Sequence, residues 1–331
     1  MSKTGLLQDS FGRTHNNLRI SVTDRCNLRC EYCMPEEVEF LDHRELLTFE
    51  EISEVAQVAV GLGINKIRLT GGEPLLRRDL PVLVKFLTGI PQITDLSLTT
   101  NGLLLKNQVK KLKEAGLRRL TISLDTLDPG RFRQLCKRDG LDQVLQGIEA
   151  ALQEGFEKIK LNTVCIKGIN DQDIVPLAEY ARSRKIELRF IEYMPIGANP
   201  WERNKVLFAH EILEILETQV AKLFPGAAYD PTAPAMEFTY QDGQGSIGII
   251  ASISRPFCQH CNRVRLTAEG KFRNCLFALE EVDLKPLIRP DFQPEEIRKA
   301  MISSVEGKWE GHEINTARFI KPGRTMHTIG G

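Results

Sequence analysis

The sequence predicts an α/β protein: an open, incomplete (β/α)6 TIM-like barrel over residues 1–200, followed over 201–331 by a smaller, strand-rich appendage. Three observations predict it. Six strand-like runs are separated by stretches of helical periodicity, the polar turns follow strands, and the periodicity lapses between Pro195 and Asn204. Six strands suit an unclosed barrel better than a closed eight, and a doubly wound sheet is the competing arrangement.

Leu18-Arg19-Ile20-Ser21-Val22 alternates apolar and polar residues and runs into a cysteine loop, so it reads as a first strand with that loop at its C-terminal end. Thr48-Phe49-Glu50-Glu51 is a capping box, and Ile52, Val55, Ala56 and Ala59 keep helical spacing until Gly61 and Gly63. The unit then recurs. Strands are expected at Lys66–Thr70, Asp95–Thr100, Leu120–Leu124, Lys158–Cys165 and Glu187–Tyr193, with helices from about Asp79 and over Asn107–Ala115, Leu141–Gln153 and Asp171–Ser183. After Asn204 a helix near Ala209–Glu217 leads to a hairpin of Met236–Tyr240 with Ser246–Ala251, then a second turn-linked pair over Arg263–Thr267 and Lys271–Asn274. A charged helix over Pro294–Ser304 and a tail ending Gly330-Gly331 complete the chain.

Chemistry-bearing residues gather on one face of this plan. Gly71-Gly72-Glu73-Pro74, Thr99-Thr100-Asn101-Gly102, Ser123-Leu124-Asp125 and Glu192-Tyr193-Met194-Pro195 all close strands, and in parallel α/β folds that end builds the site. Lys+Arg and Asp+Glu are 44 each, so no global charge points to a nucleic acid or a membrane surface. Met1–Thr14 has no apolar core of a signal peptide, and no run approaches the ~20 apolar residues of a span. A soluble, cytoplasmic protein is expected.

Of eight cysteines, six fall in two tight groups, Cys26/Cys30/Cys33 and Cys258/Cys261/Cys275, which favours metal centres in a reducing compartment over disulfides; Cys136 and Cys165 read as core thiols. Structural zinc closes a tetrahedron with four protein ligands, whereas Cys26-Asn27-Leu28-Arg29-Cys30-Glu31-Tyr32-Cys33 offers three. A four-iron cluster held by three thiolates leaves one iron open to a small molecule. The competing reading is a structural zinc knuckle. The second group again supplies three, with His260 as an alternative fourth ligand. Arg263 and Arg265, flanking Val264 on a strand, would project to one face as a fork for anionic oxygens, joined by Arg19, Arg68 and Lys160 inside the barrel. Charges there are costly unless paired, so an anionic ligand is expected.

The C-x3-C-x2-C spacing with Tyr32 before the last cysteine, followed by Gly71-Gly72-Glu73 on a strand end, resembles the signature of radical S-adenosylmethionine (SAM) enzymes. Both cysteine spacings, Asn262-Arg263-Val264-Arg265 and the double-glycine end resemble, within that superfamily, the GTP 3′,8-cyclases of molybdenum-cofactor biosynthesis. The resemblance implies two [4Fe-4S] clusters, on Cys26, Cys30 and Cys33 and on Cys258, Cys261 and Cys275. It implies SAM contacts at Tyr32, Gly72, Glu73, Ser123 and Met194. GTP would be held by Arg19, Arg68, Thr99, Lys160, Arg263, Val264 and Arg265, with Arg263 and Arg265 also catalytic and the Gly330-Gly331 tail threading into the barrel mouth. It further implies a flavodoxin-like or ferredoxin-like reductant and a downstream cyclic pyranopterin monophosphate synthase. The oligomeric state is left open by the sequence, with a homodimer among the alternatives.

Overall fold

In the computed structural model, which describes residues 5–197, 200–226 and 230–330, the alternating pattern folds as the periodicity requires. The first half runs β1 (Asn17–Ser21), α1 (Phe49–Val60), β2 (Lys66–Thr70), α2 (Leu80–Thr88), β3 (Asp95–Thr100), α3 (Leu105–Glu114), β4 (Arg119–Ser123), α4 (Pro129–Cys136), α5 (Leu141–Gln153), β5 (Lys158–Cys165), α6 (Ile174–Ser183) and β6 (Glu187–Glu192). Helix α1 starts where Thr48 and Glu51 cap each other reciprocally, and it buries Ile52, Val55, Ala56 and Ala59. Helix α4 is an addition to the expected elements: Asp128 caps it through Arg131 N, and Pro129 opens it.

Strands β1 to β6 lie in sequence order and pair in parallel, and the sheet does not close. The second half runs α7 (Ala209–Gln219), β7 (Leu223–Pro225), β8 (Met236–Tyr240), β9 (Ser246–Ile250), β10 (Arg263–Leu266), β11 (Lys271–Arg273), β12 (Val282–Asp283), α8 (Lys285–Ile288), α9 (Pro294–Glu306) and α10 (Met326–Ile329). Both expected strand pairs form, β8 with β9 and β10 with β11.

These strands are not a separate sheet. β10 adds to β1 in parallel, β9 adds to β6 in parallel, and the order is β12-β11-β10-β1-β2-β3-β4-β5-β6-β9-β8-β7. An unclosed barrel leaves two strand edges with unpaired backbone groups, and the C-terminal half satisfies both. Strands β7 and β12, only three and two residues long, end the sheet.

Alternation along the strands divides the sheet into two faces. On β1, Leu18 and Ile20 are fully buried in the main apolar core with helix residues such as Val55, Leu83 and Leu112, while Arg19 points to the opposite, concave face. Among the described residues no helix is long and apolar enough to cross a membrane. Ala198, Asn199 and Gly331, within the expected boundary loop and tail, lie outside the described residues.

Candidate active site

Register assembles the concave face in rows, because residues paired across parallel strands share a side. Arg265, Arg19 and Arg68 are direct neighbours on β10, β1 and β2. Thr99, Thr121, Lys160 and Glu187 form a second row, and Ser123, Asn162 and Arg189 a third, nearer the C-terminal strand ends. Val264 lies on the other face: it is fully buried in the apolar core, so only its backbone can serve the concave side.

Most of these cations have no carboxylate beside them. Arg68 donates to Thr99 Oγ1 at 3.0 Å and Thr121 Oγ1 at 2.9 Å, and Arg263 lies over the Phe257 ring at 4.6 Å with Nη2 unpartnered. Arg19 Nε is buried and unpartnered, and burial, then Arg265, Arg68 and Arg263, push that guanidinium well below its ordinary range. Burial first, and like charge second, bring Arg68 and Arg265 to about 10.

Lys160 departs from the expectation of an open anion ligand. Its Nζ is 2.7 Å from Glu187 Oε1, and Arg189, a site residue that the sequence reading omits, shares that carboxylate at 2.5 Å and reaches Glu237 at 3.1 Å. Burial and Arg189 lower Lys160 to about 7, whereas Arg189 and Lys160 overcome burial to hold Glu187 at about 2. The unbalanced charge is therefore carried by the arginines.

The first cysteine loop follows β1 and is clamped by the turn after β2. Gly72 N donates to Thr23 O at 2.7 Å and Glu73 N to Arg25 O at 2.7 Å. A Cβ on Gly72 would stand 2.3 Å from Arg25 O, and one on Gly71 2.6 Å from Thr23 O, so both glycines are required by the approach of the loop backbone. Glu73 is a strut: its carboxylate accepts from Leu75 N at 3.0 Å, Thr100 Oγ1 at 2.7 Å and Asn101 N at 2.6 Å. Asn101 Nδ2 in turn reaches Asn27 Oδ1 at 2.8 Å and Cys26 Sγ at 3.7 Å. Burial pushes Glu73 up to about 7 despite these donors, because no cation stands beside it.

Tyr32 donates to Asp125 Oδ2 at 2.6 Å, and Asp125 also accepts from Val164 N at 2.9 Å while burial raises it to about 6. Met194 packs with Cys275 and Met326 against a small second apolar cluster that includes Ile196 and Phe277. Cys136 lies 3.7 Å from Cys30, a proximity that no local signal in the sequence reveals.

Both triplets suit iron–sulfur clusters by the chemistry of their donors. Cys30, through its Cys136 contact and burial, and Cys33, through burial, Cys30 and Cys26, are held well above the ordinary thiol range; burial takes Cys26 to about 12. Three neighbouring thiols that resist ionisation alone are suited to a cationic iron core that stabilises their thiolates, and Leu28 N at 3.4 Å and Asn101 offer hydrogen bonds to the Cys26 sulfur. In the second triplet, burial would raise Cys261, but Arg263 and Lys308 outweigh it and hold it at about 6. His260 is exposed at the end of a short turn, apart from the Cys258, Cys261 and Cys275 side chains in burial. Among the described residues no three His, Cys, Asp or Glu side chains converge as a single metal ion would need.

The tail lies across the mouth. Arg265 Nη1 donates to Ile329 O at 3.2 Å and to Gly330 O, and the His327 backbone hydrogen-bonds to the Cys33 sulfur. Gly330 has φ +78°, and a Cβ there would meet Thr70 Cγ2 at 2.6 Å. Arg324 anchors the segment to Glu269 and Glu281, each at 2.6 Å.

Comparison with known proteins accords with this architecture. The family model described as the radical SAM superfamily matches residues 20–181, and that described as molybdenum cofactor synthesis C matches 186–314. The chain is 45% identical to the GTP 3′,8-cyclase of Rhodopirellula baltica over 98% of this chain and 92% of that one. It is 42% identical to the GTP 3′,8-cyclase of Thermodesulfovibrio yellowstonii over 98% and 100%, and 43% identical to that of Streptomyces coelicolor over 98% and 96%. In fold it resembles Streptococcus suis SuiB, crystallised with S-adenosylmethionine, with a TM-score of 0.60 at 16% identity over 86% of this chain and 68% of that one.

Proposed function

The chain belongs to the radical SAM superfamily and, within it, to the GTP 3′,8-cyclases, and from that premise we propose how its residues convert GTP to (8S)-3′,8-cyclo-7,8-dihydroguanosine 5′-triphosphate, the first step of molybdenum-cofactor biosynthesis. One observation carries the assignment of the site: buried and half-buried guanidiniums without carboxylate partners occupy the concave face of the sheet, on strands adjoining both cysteine triplets. A buried, unpaired cation is costly, and a triphosphate supplies the missing charge.

Cys26, Cys30 and Cys33 would hold the cluster that binds SAM, and Cys258, Cys261 and Cys275 the second. When bound, the first cluster would supply the one-electron reduction that makes SAM a source of radical chemistry at the ribose of GTP. The remaining work belongs to the chain. The uncompensated Glu73 carboxylate suits the methionyl ammonium, and Gly72, with its N–H committed to Thr23, has its carbonyl to offer. Tyr32, Ser123 and Met194 line the SAM side. Arg19, Arg68, Arg263 and Arg265 take the triphosphate, with Thr99 orienting Arg68, Lys160 contributing beside Glu187, and Val264 contributing backbone alone. Arg263 and Arg265 link the ends of the site, since Arg263 approaches Cys261 and Arg265 holds the tail. The tail and concave sheet exclude water, which protects a reactive radical.

The chain divides into a first unit over 1–200 and a second over 201–331; two family matches, over 20–181 and 186–314, support a division in two, although one sheet runs through both. Eight free cysteines suit a reducing cytoplasm. A flavodoxin-like or ferredoxin-like reductant, a cyclic pyranopterin monophosphate synthase that consumes the product, and a homodimer complete the proposal. Anaerobic incubation of the reconstituted protein with GTP, SAM and reductant, followed by mass spectrometry, tests it. The expected result is the cyclised triphosphate with equimolar 5′-deoxyadenosine; deoxyadenosine formed only on adding a peptide, or colourless zinc-loaded protein, would overturn it.

A further inference from the structure

Lys308 is 4% exposed, and lysines are almost never so buried unless their charge is met. It follows α9 and its cap Gly307, and its Nζ reaches Arg263 O at 3.0 Å, His15 Nδ1 at 3.4 Å and Cys261 Sγ at 3.5 Å. No carboxylate pairs with it among the described residues. The sulfur is thus the ionisable acceptor available to this ammonium.

The surrounding residues fix that arrangement. His15, fully buried, presents Nε2 to Asp9 Oδ2 at 3.0 Å; donation there leaves Nδ1 as an acceptor facing Lys308. Asp9 is committed to Arg13, whose guanidinium donates to Cys258 O at 2.8 Å, Glu310 O at 2.6 Å and Trp309 O at 2.7 Å. The segment Asp9–His15, which carries no cysteine, therefore grips both the second cysteine loop and the residues after Lys308.

We infer that Lys308 is a positioning residue of the second cluster: oriented by His15 and the Arg263 carbonyl, it hydrogen-bonds to the Cys261 thiolate and balances its charge. This rests on reading Cys258, Cys261 and Cys275 as ligands. A donor and a positive charge at a ligand sulfur retain the cluster and favour its reduced form.

Iron analysis and potentiometry monitored by electron paramagnetic resonance on the anaerobically reconstituted full chain test the assignment, with the first cluster's signal as internal reference. Lys308→Met should move the second cluster's midpoint to more negative potential, or lower iron from about eight toward about four atoms per chain. Lys308→Arg should restore iron content. His15→Gln, which keeps the lysine but loosens one anchor, should shift the midpoint in the same direction by less, so the inference stays testable if Lys308→Met fails to fold. Full iron and an unchanged midpoint in Lys308→Met, or in His15→Gln where the former does not fold, overturns the role of Lys308. Full iron and an intact second signal in Cys261→Ala would instead overturn the ligand assignment beneath it.

Discussion

Replacing Glu73 with glutamine probes a buried carboxylate that braces the first cysteine loop and lacks a cation. Burial raises its folded-state value from an ordinary 4.5 to about 7. A raised value means the native state favours the protonated form: the stability from this group is fully present below about 4.5 and lost as pH rises through about 7, in all about 3 kcal/mol. A ligand ammonium beside the carboxylate reverses that preference, so SAM binding should displace a proton and tighten as pH rises. With the ligand selecting the ionised form, affinity should increase about ten-fold between pH 6 and pH 8 and level off above. Glutamine retains the shape and the acceptor facing Leu75 and Thr100, but sets an amide against Asn101 N, leaving that donor unmet at a cost of about 1–3 kcal/mol. Equilibrium dialysis of SAM against the anaerobically reconstituted proteins reads both effects, with circular dichroism confirming the fold. Glu73→Gln should bind about ten-fold or more weakly at pH 8 and show a flat profile. Wild-type affinity that is constant across this range, or a variant that keeps the slope, refutes the role assigned to Glu73.

Arg19→Met removes a guanidinium repelled by Arg265, Arg68 and Arg263, so the ligand-free melting temperature should rise while GTP affinity falls about ten-fold; calorimetry and a binding titration check the two signs, and a lower melting temperature would contradict the uncompensated charge. Gly330→Val combines a strained φ of +78° with a clash at Thr70, and should expel the tail with little change in melting temperature but a loss of cyclised product of about ten-fold or more; full product formation would show that the tail does not close the site. Thr48→Ala removes half of the α1 capping box and should cost about 1 kcal/mol, or about 2 °C by thermal melting, with turnover unchanged.

The sequence by itself determined the order of strands and helices, the face on which chemistry gathers and the two cysteine triplets, because each is written in short-range signals. Period-two alternation, the Thr48 box and cysteine spacing need no partner to be read. The same locality explains what escaped it: β7 and β12 are too short to show a period, and α4, although announced by Asp128 and Pro129, spans only eight residues. Tertiary structure alone decided which side chains meet. Arg265 lies beside Arg19, and Lys160 beside Glu187, through the register of strands distant in sequence. Cys136 comes to Cys30, and Lys308 to Cys261, across separations that no local pattern encodes. The C-terminal strands join the barrel's own sheet because its two open edges needed hydrogen-bond partners, a demand that exists only once the other strands have paired.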